Sequence, residues 1–452
     1  MKMNTYSPTA LAALLATSLL TLSLASCSSG SSNPLAALQA AQAKNAGNFT
    51  TTIFLGDSLT AGYQSGSLLD TQQVHGWANL VATQAAFPIT LPLIAPPGAP
   101  AVLQLVAIGP PPTITQAAGT TTGRDNFAIQ PTDLAVPGAF VNDVANTVPL
   151  LTPTTGQQQL NQLVLGFPGL GYGQAYSQAT AAIKANPTTI FLWIGNNDAL
   201  IADITGMPST MTSLANFTSQ YQALILQLTT QTSAHLVIGN IPDVTAVPYL
   251  QPAALILGEY SFATHVPVAS LSALLGIVPG DFVNPTGLAE IPLILGGKQA
   301  GPISDAGVLS AAEALTVQAQ VTAFNAVIAQ QAQAAGATLV DINALFKQVT
   351  STGLTINGYT GTASFLGGFF SLDGIHPTNT GYAVVANKFI DTMNAANGTH
   401  IADANLTAIA AADPLWPPNL VHLANIPTHG MIMPPNAGKS LDILFPTTSG
   451  PK

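Results

Sequence analysis

Three side chains in this sequence have the types and settings for nucleophilic catalysis. Ser58 lies in Gly56-Asp57-Ser58-Leu59-Thr60-Ala61-Gly62-Tyr63, and Asp373 and His376 lie in Asp373-Gly374-Ile375-His376-Pro377. A serine hydroxyl is a weak nucleophile until a base takes its proton. An aspartate three residues ahead of a histidine, in a glycine-containing loop, can accept a hydrogen bond from one imidazole nitrogen and leave the other facing the nucleophile. The other histidines are weaker candidates. His235 opens an apolar run and reads as packed, His75 and His265 have no nearby carboxylate, and His400, His422 and His429 fall in the C-terminal tail. Attack on a carbonyl also needs donors preset for the developing negative charge, each worth about 3 kcal/mol. Gly138 offers a backbone N–H and Asn197, in Gly195-Asn196-Asn197-Asp198, a side-chain amide; the N–H of Ser58 would be a third. Read alone, Gly138 fits a Pro-Gly turn and Asn197 a helix cap equally well.

These residues need a scaffold that brings them together. The apolar run Thr52-Ile53-Phe54-Leu55 leads into Ser58 and predicts a buried strand ending in a tight turn. Further strands are predicted over 132–136, 188–194, 235–240 and 338–342, and helices over 75–86, 177–185, 213–230, 310–335 and 377–393, the last with Pro377 in its first turn. Continuous apolar strands alternating with helices specify a parallel sheet covered on both faces. In such sheets the C-terminal strand ends share one edge. The clusters at 56–58, 137–138, 195–198 and 240–243 should therefore converge. Two stretches break the alternation: the proline-rich 88–131 and the segment 246–308. The apolar middle of the second, 253–278, reads as a helical pair packed on the sheet edge, with a hydrophobic cap for acyl chains as the alternative.

Gly56-Asp57-Ser58-Leu59, Gly138, Gly195-Asn196-Asn197-Asp198 and Asp373-Gly374-Ile375-His376-Pro377 resemble, in order, the four blocks of the SGNH, or GDSL, hydrolase family, over about residues 50–395. The resemblance implies a flavodoxin-like three-layer α/β/α sandwich with a central parallel sheet, enlarged by insertions. It implies hydrolysis of lipid or small carboxylic esters, with Ser58 as nucleophile, His376 as base and Asp373 as its orienter. Gly138, Asn197 and the Ser58 amide would form the oxyanion hole, with no metal or organic cofactor. Carbohydrate O-deacetylation is the alternative within the same fold. A non-catalytic surface binding protein is the alternative outside it, and that reading predicts a broken constellation.

Composition narrows the setting. Of 452 residues only 6% are charged, against the usual quarter or so. Nine basic and nineteen acidic residues give a formal charge of −10, and Arg124 is the sole arginine. Nothing here could neutralise a run of phosphates, which excludes nucleic-acid binding. The single cysteine, Cys27, forbids an intrachain disulfide. It follows an apolar stretch, 9–25, and the residues Leu24-Ala25-Ser26. This resembles a bacterial lipoprotein signal peptide, whose cysteine becomes the lipid-bearing first residue of the mature chain. The implied layout is a leader over 1–26, a flexible tether over 27–49, a hydrolase domain over 50–398 and a Pro-rich tail over 399–452, anchored to an envelope membrane outside the cytoplasm. Oligomeric state is left open. In the tail, Gly438-Lys439-Ser440 resembles the end of a phosphate-binding loop, but Met433 stands where the first glycine belongs.

Overall fold

The computed structural model of the protein describes residues 34–420 and 431–445. The leader and Cys27 lie outside them. Four apolar runs form parallel strands, β1 (Thr52–Gly56), β2 (Thr189–Trp193), β3 (His235–Gly239) and β4 (Thr338–Val340), neighbours in that order. The stretch expected as a strand at 132–136 runs along the free side of β1 without becoming regular. Phe54 N–H donates to the Thr132 carbonyl at 2.9 Å, and the N–H groups of Leu134 and Val136 donate to Phe54 and Gly56. Pro131 and Pro137 bracket this ribbon and lack the N–H groups that would extend its ladder. Counting it, the order is 2-1-3-4-5, that of flavodoxin-like sheets. The three-layer α/β/α architecture expected from the sequence is the one the chain adopts.

Successive strand residues face opposite sides, and each side has its own helices. Besides α1 (Pro34–Lys44), these are α2 (Trp77–Gln84), α3 (Gln178–Lys184), α4 (Asn196–Thr205), α5 (Leu214–Gln231), α6 (Ala311–Ala334) and α7 (Asn379–Asn397). Phe54, Phe191, Trp193 and Val237 pack against Trp77 of α2 and Tyr382, Phe389 and Met393 of α7. Ile53, Leu55, Ile190, Leu192 and Ile238 pack against buried residues of α3 to α6, where Phe217 stacks on Phe324 at 3.9 Å. Local chemistry sets the helix starts. Ser310 and Glu313 form a capping box at α6. Thr378 caps α7 by accepting from Gly381 N–H, so Pro377 precedes the helix rather than sitting in its first turn.

Three regions differ from, or add to, the sequence reading. The stretch read as a tether carries α1, whose Ala, Leu and Gln residues favour helix. Its Gln42 side chain donates to the Thr229 carbonyl at 2.8 Å. In the first insertion a hairpin pairs 103–107 with 113–116, and Arg124 is buried with its guanidinium donating to the carbonyls of Asn126, Ile129, Val164 and Phe167. In the second insertion, helices Ala253–Thr264 and Val268–Leu275 do form a pair. They pack with helix Pro285–Leu295 around Ile256, Leu257, Leu271 and Ile291, a separate small core, and not on the sheet edge.

The main core makes two expectations. Phe389 stacks on Trp77 at 4.0 Å and also meets Phe191 and Trp193. Phe389→Ala should lower unfolding free energy by about 4 kcal/mol, read by urea denaturation. Three carboxyls around the sheet are buried, and burial raises Asp57 to about 6, Asp198 to about 7 and Asp133 to about 8. A carboxyl raised in the folded state contributes stability that is fully present below its unfolded pKa and lost as pH rises through the folded value. Tm should therefore fall between pH 5 and pH 8.5, and Asp133→Asn should flatten the upper part of that fall; a Tm rising across the range would contradict the assignment.

Candidate active site

The site begins where β1 stops. A side chain at Gly56 would place its Cβ 2.6 Å from the Trp193 carbonyl oxygen, so glycine is required for the chain to turn this close to β2. Gln178 of α3 holds that last strand residue from both sides, accepting from Gly56 N–H and donating to its carbonyl, each at 2.9 Å. The turn closes when Ala61 N–H donates to the Asp57 carbonyl and Tyr63 N–H to the Ser58 carbonyl. Asp57 points inward, accepting from Leu59 N–H at 3.0 Å and Asn196 Nδ2 at 2.9 Å.

Ser58 Oγ lies 2.7 Å from His376 Nε2, and His376 Nδ1 lies 2.9 Å from Asp373 Oδ2. Three residues distant in sequence thus form one continuous hydrogen-bonded line. Asp373 is fully buried. Its Oδ2 also accepts from Gly66 N–H at 2.7 Å, and its Oδ1 from the N–H groups of Ile375 and His376, each at 2.9 Å. Burial opposes its charge, but the adjacent His376 and these hydrogen bonds outweigh that and hold the carboxyl below its usual range. The His376 ring is further positioned by the Tyr63 ring, 4.6 Å away, whose hydroxyl donates to the Gly66 carbonyl.

Gly138 has φ +77°, a left-handed conformation that suits glycine. Among the described residues, neither its N–H nor that of Ser58 donates to a protein acceptor. Asn197 lies in the first turn of α4 and uses one amide hydrogen on the Ala139 carbonyl, at 2.8 Å; the other remains for a ligand. Asn197 is thus tied to the residue after Gly138 and does not cap α4, whose N-cap is Gly195. Its neighbours do parallel work: Asn196 holds Asp57, and Asp198 accepts from Val141 N–H at 3.1 Å. Sequence reasoning missed this knitting, along with Gln178, Tyr63, Gly66 and Ser371, which accepts from Ser65 N–H. The run Gly62-Tyr63-Gln64-Ser65-Gly66 carried the one available signal, a second glycine just past the serine turn.

Ser58 is only 4% exposed and His376 1%. Two cavities are lined by residues next to the site, though not by Ser58 or His376 themselves. A small apolar slot of about 90 Å³ is lined by Leu59, Leu200, Phe346, Phe370 and Ile375 among others. A larger one, about 730 Å³, borders Gly138, Phe140, Gln157, Asn161, Tyr249 and Leu444. Among the described residues no cluster of three His, Cys, Asp or Glu side chains could hold a metal ion. No described helix is long and apolar enough to cross a membrane.

Comparison with solved structures finds an acetyl-xylooligosaccharide esterase from Geobacillus, 12% identical, covering 78% of this chain and 96% of that one, with a TM-score of 0.34. It also finds phospholipase A1 from Streptomyces albidoflavus, 14% identical, covering 76% and 98%, with a TM-score of 0.32. An alpha/beta hydrolase from the metagenome of Lake Arreo, Spain, is 12% identical and covers 76% and 94%, with a TM-score of 0.33. Comparison with curated proteins finds no match. The profile of the GDSL-like lipase/acylhydrolase family matches residues 53–389, three quarters of the sequence, and the chain belongs to that family of ester hydrolases.

Proposed function

We propose that the protein hydrolyses carboxylic esters through an acyl-enzyme on Ser58. The observation that carries this reading is the unbroken line Asp373–His376–Ser58, with contacts of 2.9 and 2.7 Å. His376 Nε2 takes the hydroxyl proton as Ser58 Oγ attacks the ester carbonyl. Asp373 holds the Nδ1–H tautomer and offsets the charge of the imidazolium. The N–H groups of Ser58 and Gly138 and the free hydrogen of Asn197 Nδ2 receive the oxyanion. The alcohol leaves with the proton from His376, and water then repeats the sequence on the acyl-serine.

Lys and Arg are absent from the walls of both cavities, which suits a neutral ester, lipid or small. One observation favours the carbohydrate reading. Gln157, Asn161 and several threonines border the larger cavity, polar side chains of the kind that hydrogen-bond a sugar's hydroxyls. Rates on p-nitrophenyl esters of increasing chain length separate the two: rising rates with length favour lipid esters, and a sharp acetyl preference favours glycan deacetylation. We also place the mature chain on an extracytoplasmic membrane face through a lipid on Cys27, supported by the leader sequence. Cys27→Ser should move the protein from the membrane fraction to the soluble one and abolish incorporation of labelled palmitate.

A fluorophosphonate adduct mapped by mass spectrometry should sit on Ser58, and an adduct elsewhere overturns the assignment. Ser58→Ala should remove essentially all hydrolysis; unchanged hydrolysis would restore the non-catalytic reading. Asp373→Asn should cost about ten-thousand-fold in kcat. Asn197→Ala should cost about a hundredfold or more in kcat with little change in KM, the pattern of a donor used in the transition state.

A further inference from the structure

Residues 431–445 lie against all three loops that build the site. Met433 packs on the histidine loop, where a Cβ at Gly374 would come within 2.7 Å of its sulfur. Ser440 sits against Gly66, whose N–H holds Asp373. The Leu444 carbonyl oxygen lies 3.0 Å from where a Cβ of Gly138 would be, and the Phe445 ring meets Phe140 edge-on at 6.5 Å. The resemblance to a phosphate-binding loop ends here as well. Gly438 is small because Pro285 and Tyr249 press on it, and Ser440 faces a backbone glycine.

The nucleophile in their midst is covered. Ser58, His376 and Asn197 are each at most 4% exposed, and none of them borders either cavity. The larger cavity has Gly138 on one wall and Asp442, Leu444 and Phe445 on another. An ester held there would have the strap beside the carbonyl-binding glycine. Among the described residues the strap's hydrogen bonds to the body that involve a side chain are few: Asn436 Nδ2 donates to the Ile114 carbonyl at 2.6 Å, and Met433 backbone N–H donates to Gln251 Oε1 at 3.3 Å. Its other contacts are apolar, through Met433, Leu441 and Leu444.

From these contacts we infer that residues 431–445 form a strap that must lift for an ester to pass from the larger cavity to Ser58. The strap, through Asp442, Leu444 and Phe445, also bounds what that cavity accepts. This rests on the hydrolase reading above. A designed disulfide tests it. The Cβ of a residue at 156 would lie 3.3 Å from Ile443 Cβ, close to disulfide spacing, and Cys27 is the only native cysteine. The full chain carrying Gly156→Cys and Ile443→Cys, with each single variant as control, is oxidised and then reduced. In both states the rate of fluorophosphonate labelling at Ser58 and p-nitrophenyl ester hydrolysis are measured. The oxidised form should label at least about tenfold more slowly, and reduction should reverse the loss. Equal rates in the two states overturn the strap while leaving the hydrolase reading intact. A wild-type chain that neither labels nor hydrolyses overturns both. Asn436→Ala gives a second reading without a crosslink. By removing one anchor it should speed labelling about fivefold, the weight of one net hydrogen bond; an unchanged rate counts against the strap.

Discussion

The buried carboxylate of Asp373 is the interaction on which the rest of the site depends. A lone ionised carboxyl in a protein interior is costly, and it is tolerated only when its oxygens are fully engaged. Here the donors come from both ends of the chain: Gly66 N–H from the serine loop, and Ile375 N–H, His376 N–H and His376 Nδ1 from the histidine loop. The charge therefore does two things at once. It closes a contact between segments some three hundred residues apart, and it fixes the tautomer and direction of the imidazole that meets Ser58. The serine turn and the histidine loop cannot separate without stranding that charge.

The same economy of charge runs through the molecule. With 6% of residues charged, several of the few charged or ionisable groups are spent inside. Arg124, the sole arginine, meets carbonyls rather than a carboxylate or solvent. Asp57 and Asp198 tie the serine turn and the 138–141 loop to the start of α4, through Asn196 and Val141. Asp203 is fully buried with neither oxygen partnered, and burial drives its carboxyl upward, toward the neutral form. Interior carboxyls of this kind hold loops in place when hydrogen-bonded and are tolerated as neutral acids when not.

Much of this was legible in the sequence, for a physical reason. Buried parallel strands must be apolar runs, so β1 to β3 announce themselves in Thr52–Leu55, Thr189–Trp193 and His235–Gly239. Ser58 stands out at a strand end and Asp373 and His376 by their spacing in a loop, and the structure joins them. What escaped was set by partners rather than by local pattern. The ribbon at 132–136 has strand composition, but its prolines deny it a regular ladder. Residues 34–44 look like a linker until Gln42 of their helix finds the Thr229 and Thr232 carbonyls at the end of α5. The 253–275 helices are apolar because they serve a third helix and a private core, which no period in the sequence distinguishes from packing on the sheet. The partners of Asn196 and Asp198, Asp57 and Val141, are distant in sequence, so no local pattern names them.

A covered site suits the first half of acyl transfer and complicates the second. Excluding water strengthens the hydrogen bonds and charges that stabilise the tetrahedral intermediate, because few competing dipoles remain. On the proposed mechanism, however, the acyl-enzyme is released only by water, which must reach the ester carbon while His376 stands ready to take its proton. The two cavities differ in this respect. The slot beside Leu59 and Ile375 is walled almost wholly by apolar side chains and would hold no ordered water. The larger cavity, bordered by Gly138, is lined by Gln157, Asn161 and several threonines. Groups of that kind hold water readily. On the proposed mechanism the deacylating water would therefore come by the route proposed for the ester, from the larger cavity past Gly138 and residues 431–445 to Ser58.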